Sequence, residues 1–379
     1  MRADLHYRLP PLQRWDLDEI LRLIAQQKYF LLHAPRQTGK TTCLLALMDY
    51  LNAEGRYQAV YANLEGAQAW REQVDPGMAT VVTDIASWAH HWLGDARLPQ
   101  LARQVLATTP SGSALGDFLS QWSATAPRPL VLLLDEVDAL VGDTLIALLR
   151  QLRAGYLKRP TAFPQTIMLC GVRDLRDYRI HARSEREPIT GGSAFNIKAE
   201  SLRLGDFTAA ETTALLTEHT RETGQVFTPP ALARIWDLSL GQPWLVNALA
   251  YHACFRLPAG HDRTRPIGVD LIDQAKEYLI VNRVTHLDQL ADKLREPRVR
   301  RVIEPMLAGT ALGEVPNEDI EYLLDLGLLR HGGTGGLVVA NPIYREVLPR
   351  MLAFTPQASL PQISPTWLNA DGSLNPERL

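Results

Sequence analysis

The chain has 379 residues, 46% of them hydrophobic and 21% charged, with a formal net charge of −3. That length suits two or three globular domains with a sizeable core. The near-neutral balance excludes a protein-wide electrostatic clamp on nucleic acid and leaves room only for a local basic patch.

Cys43, Cys170 and Cys254 are far apart, with no CxxC pair and no zinc-spaced histidines, so they read as small buried hydrophobes. Met1–Pro11 has no apolar stretch of the signal-peptide kind, and no run approaches the ~18 apolar residues of a membrane span. The expected location is cytoplasmic, with no membrane partner.

The first 200 residues alternate strand and helix patterns. Tyr29–His33 is a short apolar run ending at a turn signal, and helical spacing follows from Thr41 to Leu51. Tyr57–Leu64 reads as a second strand. Val81–Leu93 and Leu98–Leu106 read as helices, the first with Trp88 and Trp92 on one face. Leu130–Leu134 is continuously apolar, as in a strand buried on both faces. Asp143–Tyr156 is an amphipathic helix, Thr166–Cys170 another buried strand and Phe195–Leu204 a fifth. Buried strands separated by helices predict an α/β fold with a parallel sheet covered on both sides.

From residue 207 the pattern turns helical: Phe207–Glu222, Pro230–Leu240 and Pro243–Phe255, with Thr208 and Glu211 spaced as a capping box. Further helices follow at Val269–Arg283, His286–Lys293, Pro297–Ala308 and Asn317–Leu328. Leu329–His331 and Leu337–Ala340 then flank a Gly332–Gly336 tip, and a helix closes at Ile343–Leu352. Helices followed by a glycine-tipped hairpin predict a winged helix. The expected division is an ATPase-like core over 1–205, a helical lid over 206–258, a winged-helix domain over 268–354 and an extended tail over 355–379.

Ala34-Pro35-Arg36-Gln37-Thr38-Gly39-Lys40-Thr41-Thr42 matches the GxxxxGK[ST] phosphate loop, except for Ala34 at the first glycine. The chemistry requires backbone N–H groups that curl around phosphate oxygens, small residues and Gly39 near the turn, and a helix whose positive end faces the anion. Lys40 is expected to reach the β- and γ-phosphates, and the Thr41 hydroxyl to join a Mg²⁺ shell. The strand Val131–Leu134 delivers Asp135 and Glu136 to the sheet edge where such folds hold ligands. Asp135 is placed to hold Mg²⁺ and Glu136 to polarise the attacking water.

Arg173 directly follows the strand Thr166–Cys170 and is the candidate γ-phosphate sensor, with a surface ion pair to Asp174 or Asp177 as the bland alternative. Arg176, Arg179, Arg183 and Arg186 complete an arginine-rich stretch. Arg183 and Arg186 are candidates for fingers acting across a homo-oligomer boundary, against a solvated loop. Pro243, in Gly241-Gln242-Pro243-Trp244, is a candidate lid contact to nucleotide or simply a helix corner. Arg295, Arg298, Arg300 and Arg301 are candidate DNA-phosphate contacts, diluted by Glu296 and Glu304. His90-His91 reads as structural, and no aromatic interleaving points to single-strand stacking.

These residues resemble the AAA+ and STAND-type branch of P-loop ATPases, in particular bacterial and archaeal AAA-like ATPases whose loop reads APRQxGK[ST]. The resemblance spans nearly the whole chain. It implies ATP binding and hydrolysis, with Lys40 and Thr41 on phosphate and metal, Asp135 on metal and Glu136 catalytic. It also implies Arg173 as a sensor, Pro243 as a lid contact and Tyr7–Arg14 as the stretch flanking the base. Some members of such groups continue into a nuclease-like domain. The tail Pro361–Leu379 reads as a lead-in to such an addition, so the chain is expected to be a fragment or a shortened relative. It has no PD…(D/E)xK array, and no nuclease activity is expected of it. Three functions follow: a nucleotide-driven switch or motor, a DNA-binding module regulated by ATP, and a protein-interaction scaffold.

Overall fold

The structure, a computed structural model, describes residues 7–173, 179–180, 189–190, 198–282, 284–333 and 335–359. Five strands form one parallel sheet: β1 (Tyr29–His33), β2 (Gln58–Asn63), β3 (Leu130–Asp135), β4 (Thr166–Gly171) and, after a two-residue ladder of β5 (Arg179–Ile180) on β6 (Ile189–Thr190), β7 (Lys198–Arg203). Their spatial order is β2-β3-β4-β1-β7. β1 lies between β4 and β7, so the loop after β1 opens at the carboxyl edge of the sheet beside the ends of β4 and β3.

Both faces of the sheet are buried, which explains its continuous apolar strands. Leu31, Val60, Leu132, Leu134, Ile167 and Leu169 face a layer built from α3 (Val74–Leu93), α4 (Arg97–Thr108), α5 (Ser111–Thr125) and α6 (Gly142–Gly155). Phe30, Leu32, Tyr61, Leu133, Met168 and Cys170 face α1 (Leu17–Ala25) and α2 (Lys40–Glu54). The sequence pattern foresees most of this and misses α5. Gly112, Gly116 and several Ser and Thr residues weaken the helical signal there. Tertiary burial of Ala114, Leu115, Phe118, Leu119 and Trp122 on one face overrides it.

The rest of the chain is helical: α7 (Ala209–Thr223), α8 (Pro229–Ser239), α9 (Pro243–Tyr251), α10 (Val269–Val281), α11 (Thr285–Lys293), α12 (Pro297–Ala308) and α13 (Asn317–Asp325). A hairpin of β8 (Leu329–His331) and β9 (Leu337–Val339) and a last helix α14 (Pro342–Ser359) complete it. The expected capping box forms at the start of α7: Glu211 N–H donates to Thr208 Oγ1 at 3.1 Å and Thr208 N–H to Glu211 Oε2 at 2.7 Å. Helices α11 to α13 and the β8–β9 hairpin follow one another in the order read from the sequence. α14 runs to Ser359, into the stretch read as tail. One continuous buried cluster runs from Phe207 to Met351, so helices α7 to α14 and the hairpin share a core. Among the described residues no helix is long and apolar enough to cross a membrane.

His286 on α11 sits inside that shared core, stacked on Trp244 at 4.8 Å, with Nε2 2.5 Å from the Tyr344 hydroxyl. Burial pushes its imidazole from 6.5 down to about 4. Between those values the unfolded chain takes up a proton that the folded chain refuses, so stability falls as pH drops through the window, by about 3 kcal/mol in all. Urea denaturation at pH 7 and pH 4.5 is expected to show this acid loss in the wild type and a flatter profile in His286→Gln.

Candidate functional site

The segment between β1 and α2 is a tight curl. Gln37 and Gly39 have positive φ, 61° and 95°, and Gly39 caps α2 without a side-chain hydrogen bond. The first amides of α2 therefore receive no protein cap and stay available to an anion. A β-carbon on Gly39 would also lie 3.2 Å from the tip of Arg14, a tight contact beside the positive φ that favours glycine there.

The carbonyls of the curl are taken up by the chain itself. Lys40 Nζ donates to Ala34 O at 2.9 Å and Pro35 O at 3.1 Å, and Thr38 Oγ1 donates to Pro35 O at 2.8 Å. Arg14 Nη1 donates to Thr38 O at 2.7 Å and Nη2 to Gly205 O at 2.6 Å. The buried Ala34 methyl belongs to the α2-side core, so this chain accepts alanine at the first position of the motif.

Asp135, fully buried at the end of β3, faces the start of α2. Its Oδ2 accepts from Thr41 Oγ1 at 2.7 Å and from the Tyr61 hydroxyl at 3.1 Å, and its Oδ1 accepts from Glu136 N–H at 3.0 Å. Glu136 follows in the left-handed region, φ 55° and ψ 38°, a conformation that costs a non-glycine residue about 1 kcal/mol or more and marks functional turns. Burial, then Asp138 and Asp135, raise its carboxyl above the ordinary glutamate value, while Lys40 and Arg36 pull against them. Such a carboxylate, basic and close to the phosphate-loop lysine, suits proton acceptance from water.

The hydroxyl of Thr41 and the carboxylate of Asp135 are hard oxygen donors, 2.7 Å apart, that fit Mg²⁺ shared with phosphate oxygens. Among the described residues no group of three or more His, Cys, Asp or Glu side chains could hold a metal by itself. The three cysteines are buried and free, as expected; burial pushes the Cys43 thiol up to about 11 and the Cys254 thiol up to about 12.

Arg173 lies just past β4, with its guanidinium 5.1 Å from the Tyr322 ring of α13. Arg176, Arg183 and Arg186 lie outside the described residues, and for Arg179 only the backbone strand is described. Pro243 is buried at the first turn of α9, at a corner where Gly241 O accepts from Phe207 N–H at 2.8 Å. Phe207 in turn lies under Arg14, 4.4 Å from its guanidinium, which joins that corner to the phosphate loop. The Tyr7–Arg14 stretch runs from the lid, where the Tyr7 hydroxyl is 3.3 Å from His219 Nδ1, to Thr38. His91 packs its ring on Trp92 at 4.6 Å, a structural placement.

The four C-terminal arginines are each engaged by an acid: Arg295 with Asp292, Arg298 with Glu296, Arg300 with Glu304 and Arg301 with Asp319. These arginines stay 40–83% exposed alongside their acidic partners. Sequence reasoning missed Tyr61, His33, Arg203, Tyr322 and Asp325, whose site roles depend on strand register and domain docking. Arg14 closes the Tyr7–Arg14 stretch, and its guanidinium sits on the loop carbonyl of Thr38.

A sheet of order β2-β3-β4-β1-β7 with this curl after β1 and paired acids after β3 is a parallel α/β fold of the P-loop kind. No family model and no curated protein matches the chain. Among solved structures it is similar to a Walker-type ATPase of Pyrococcus abyssi, at 16% identity and a TM-score of 0.58, covering 92% of this chain and 97% of that one. It is also similar to the RuvB Holliday junction branch migration motor of Thermotoga maritima, at 14% identity, TM-score 0.45, and 88% and 95% coverage. A third is the Aeropyrum pernix ORC1 protein in complex with DNA, at 15% identity, TM-score 0.45 and 94% coverage of each chain.

Arg14→Leu leaves the Thr38 and Gly205 carbonyls without their donor. It is expected to lower unfolding free energy by about 2 kcal/mol, read from the shift of the urea midpoint at unchanged slope.

Proposed function

We propose that this protein binds ATP–Mg²⁺ on the loop 34–42, hydrolyses it through Glu136, and uses the nucleotide to control how its winged helix sits on the core. The 2.7 Å pairing of Thr41 with Asp135, across the curl anchored by Lys40, carries the first part of this reading. Mg²⁺ on those oxygens would neutralise charge on the β- and γ-phosphates. The amides of α2 bind phosphate, Lys40 swings its ammonium from Ala34 O and Pro35 O to phosphate oxygens, and Glu136 takes a proton from the attacking water. In this reading 1–205 is the catalytic core, 206–258 the lid and 268–354 the responding module, with Pro243 at the lid corner.

The switch rests on four contacts made by residues 322–327. Tyr322 stacks under Arg173, Leu324 O accepts from Arg203 Nη2 at 3.1 Å, and Asp325 Oδ1 is 3.3 Å from His33 Nδ1. A β-carbon on Gly327 would lie 2.7 Å from Pro35 Cγ, so the backbone itself approaches the phosphate loop. A γ-phosphate that attracts Arg173 competes with Tyr322 for the same cation, which lets ATP bias the docked arrangement.

The same helix argues against DNA reading. In nucleic-acid-binding winged helices the helix before the wing enters the groove. Here α13 reads Asn317-Glu318-Asp319-Ile320-Glu321-Tyr322-Leu323-Leu324-Asp325, with four carboxylates and no Lys or Arg. Phosphate repels such a helix, and its Tyr322 and Asp325 already face the core. We therefore favour a switch that contacts protein over a DNA-contacting module.

Lys40→Ala is expected to lose fluorescent-ATP binding, and retained affinity would count against the phosphate-loop assignment. Glu136→Gln is expected to bind ATP as tightly as wild type while turnover falls at least ~100-fold. Because the Glu136 carboxyl is raised, wild-type turnover should decline with falling pH already above the ordinary carboxylate range. Unchanged turnover in Glu136→Gln would remove Glu136 from the chemistry.

A further inference from the structure

We propose that Tyr61 is a positioning residue for the metal. Its phenol holds the Asp135 carboxylate in the orientation that Mg²⁺ needs, and this assignment rests on the ATP–Mg²⁺ reading given above.

Three donors converge on Asp135, and they differ in freedom. The Glu136 N–H on Oδ1 is backbone, and the Thr41 hydroxyl on Oδ2 turns about a single side-chain bond. The Tyr61 hydroxyl on Oδ2 sits at the end of a ring that is 4% exposed and is held edge-to-face against Trp88 at 5.6 Å. Trp92 Nε1 donates to the Tyr61 carbonyl at 3.1 Å, which fixes the backbone that carries the ring. The strand register explains the reach: Tyr61 pairs with Leu133 on the neighbouring strand and points to the same sheet face as Asp135.

Thr41 is also the residue expected to turn its oxygen toward the metal. Once that oxygen is committed, the hold on Oδ2 from the α2 side weakens, and the carboxylate is left with the Glu136 amide and Tyr61. A carboxylate ligand that is itself hydrogen-bonded keeps its geometry and its charge where the metal requires them. Loss of such a partner typically costs 10- to 100-fold in metal affinity. Tyr61 acts through Asp135 and touches neither phosphate nor water in this account.

The test is Tyr61→Phe in the full chain, which keeps the ring and its packing on Trp88 and removes one oxygen. Intrinsic tryptophan fluorescence and the thermal midpoint in EDTA report whether the pocket is intact. Binding of a fluorescent ATP analogue is measured in EDTA and across a Mg²⁺ titration. The expected result is near wild-type affinity in EDTA with the Mg²⁺ concentration at half-effect raised 10- to 100-fold. An unchanged Mg²⁺ midpoint in a folded variant overturns the role of Tyr61 and leaves the ATP reading standing. An equal loss of affinity in EDTA and in Mg²⁺ also overturns it, since the phenol would then serve the loop and not the metal. If wild type binds no analogue under either condition, the ATP reading falls and the assignment falls with it.

Discussion

The hydrogen bond between Thr41 and Asp135 ties the first turn of α2 to the end of β3 and so sets the geometry of the whole edge. It forms inside a fold in which Asp135 is fully buried, where an ionised carboxylate is costly unless several donors satisfy it. Thr41, Tyr61 and the Glu136 amide provide those donors. Glu136 follows this cluster in a left-handed turn, and the charges of Lys40 and Arg36 act on its carboxylate.

Much of this edge was legible in the sequence because the demands on it are local. A phosphate loop needs glycine, lysine and a hydroxyl at fixed offsets between a strand and a helix, and all of them appear in one stretch of the chain. The apolar run before Asp135 signals a strand buried on two faces for a similar reason. The residues that stayed hidden are those whose function depends on long-range placement. Tyr61 looks like any strand tyrosine until the β2–β3 register brings it to Asp135. His33 and Asp325 are nearly 300 positions apart in the chain, and no local pattern pairs them. Helix α5 was obscured by glycines that burial tolerates.

The arginines at 295–301 look different in sequence and in structure. Read as a row they resemble a phosphate-binding stripe. In three dimensions each meets an acid, and Arg298 lies 3.3 Å over the Tyr322 ring that Arg173 also approaches. Tyr322 thus gathers cations from both the core and the winged helix, and its hydroxyl bonds Glu296 at 2.9 Å. It joins Arg173 of the sheet edge to the helical part that holds Arg298 and Glu296.

The shared core from Phe207 to Met351 has a mechanical consequence. A continuous hydrophobic interior resists internal bending, so the helices from α7 onward and the β8–β9 hairpin form one stiff body. The body meets the sheet where Leu204 N–H is bonded to His33 O and Gly205 O to Arg14. Were nucleotide to shift that junction, as proposed, the distance from it to the hairpin would enlarge the movement at the far end.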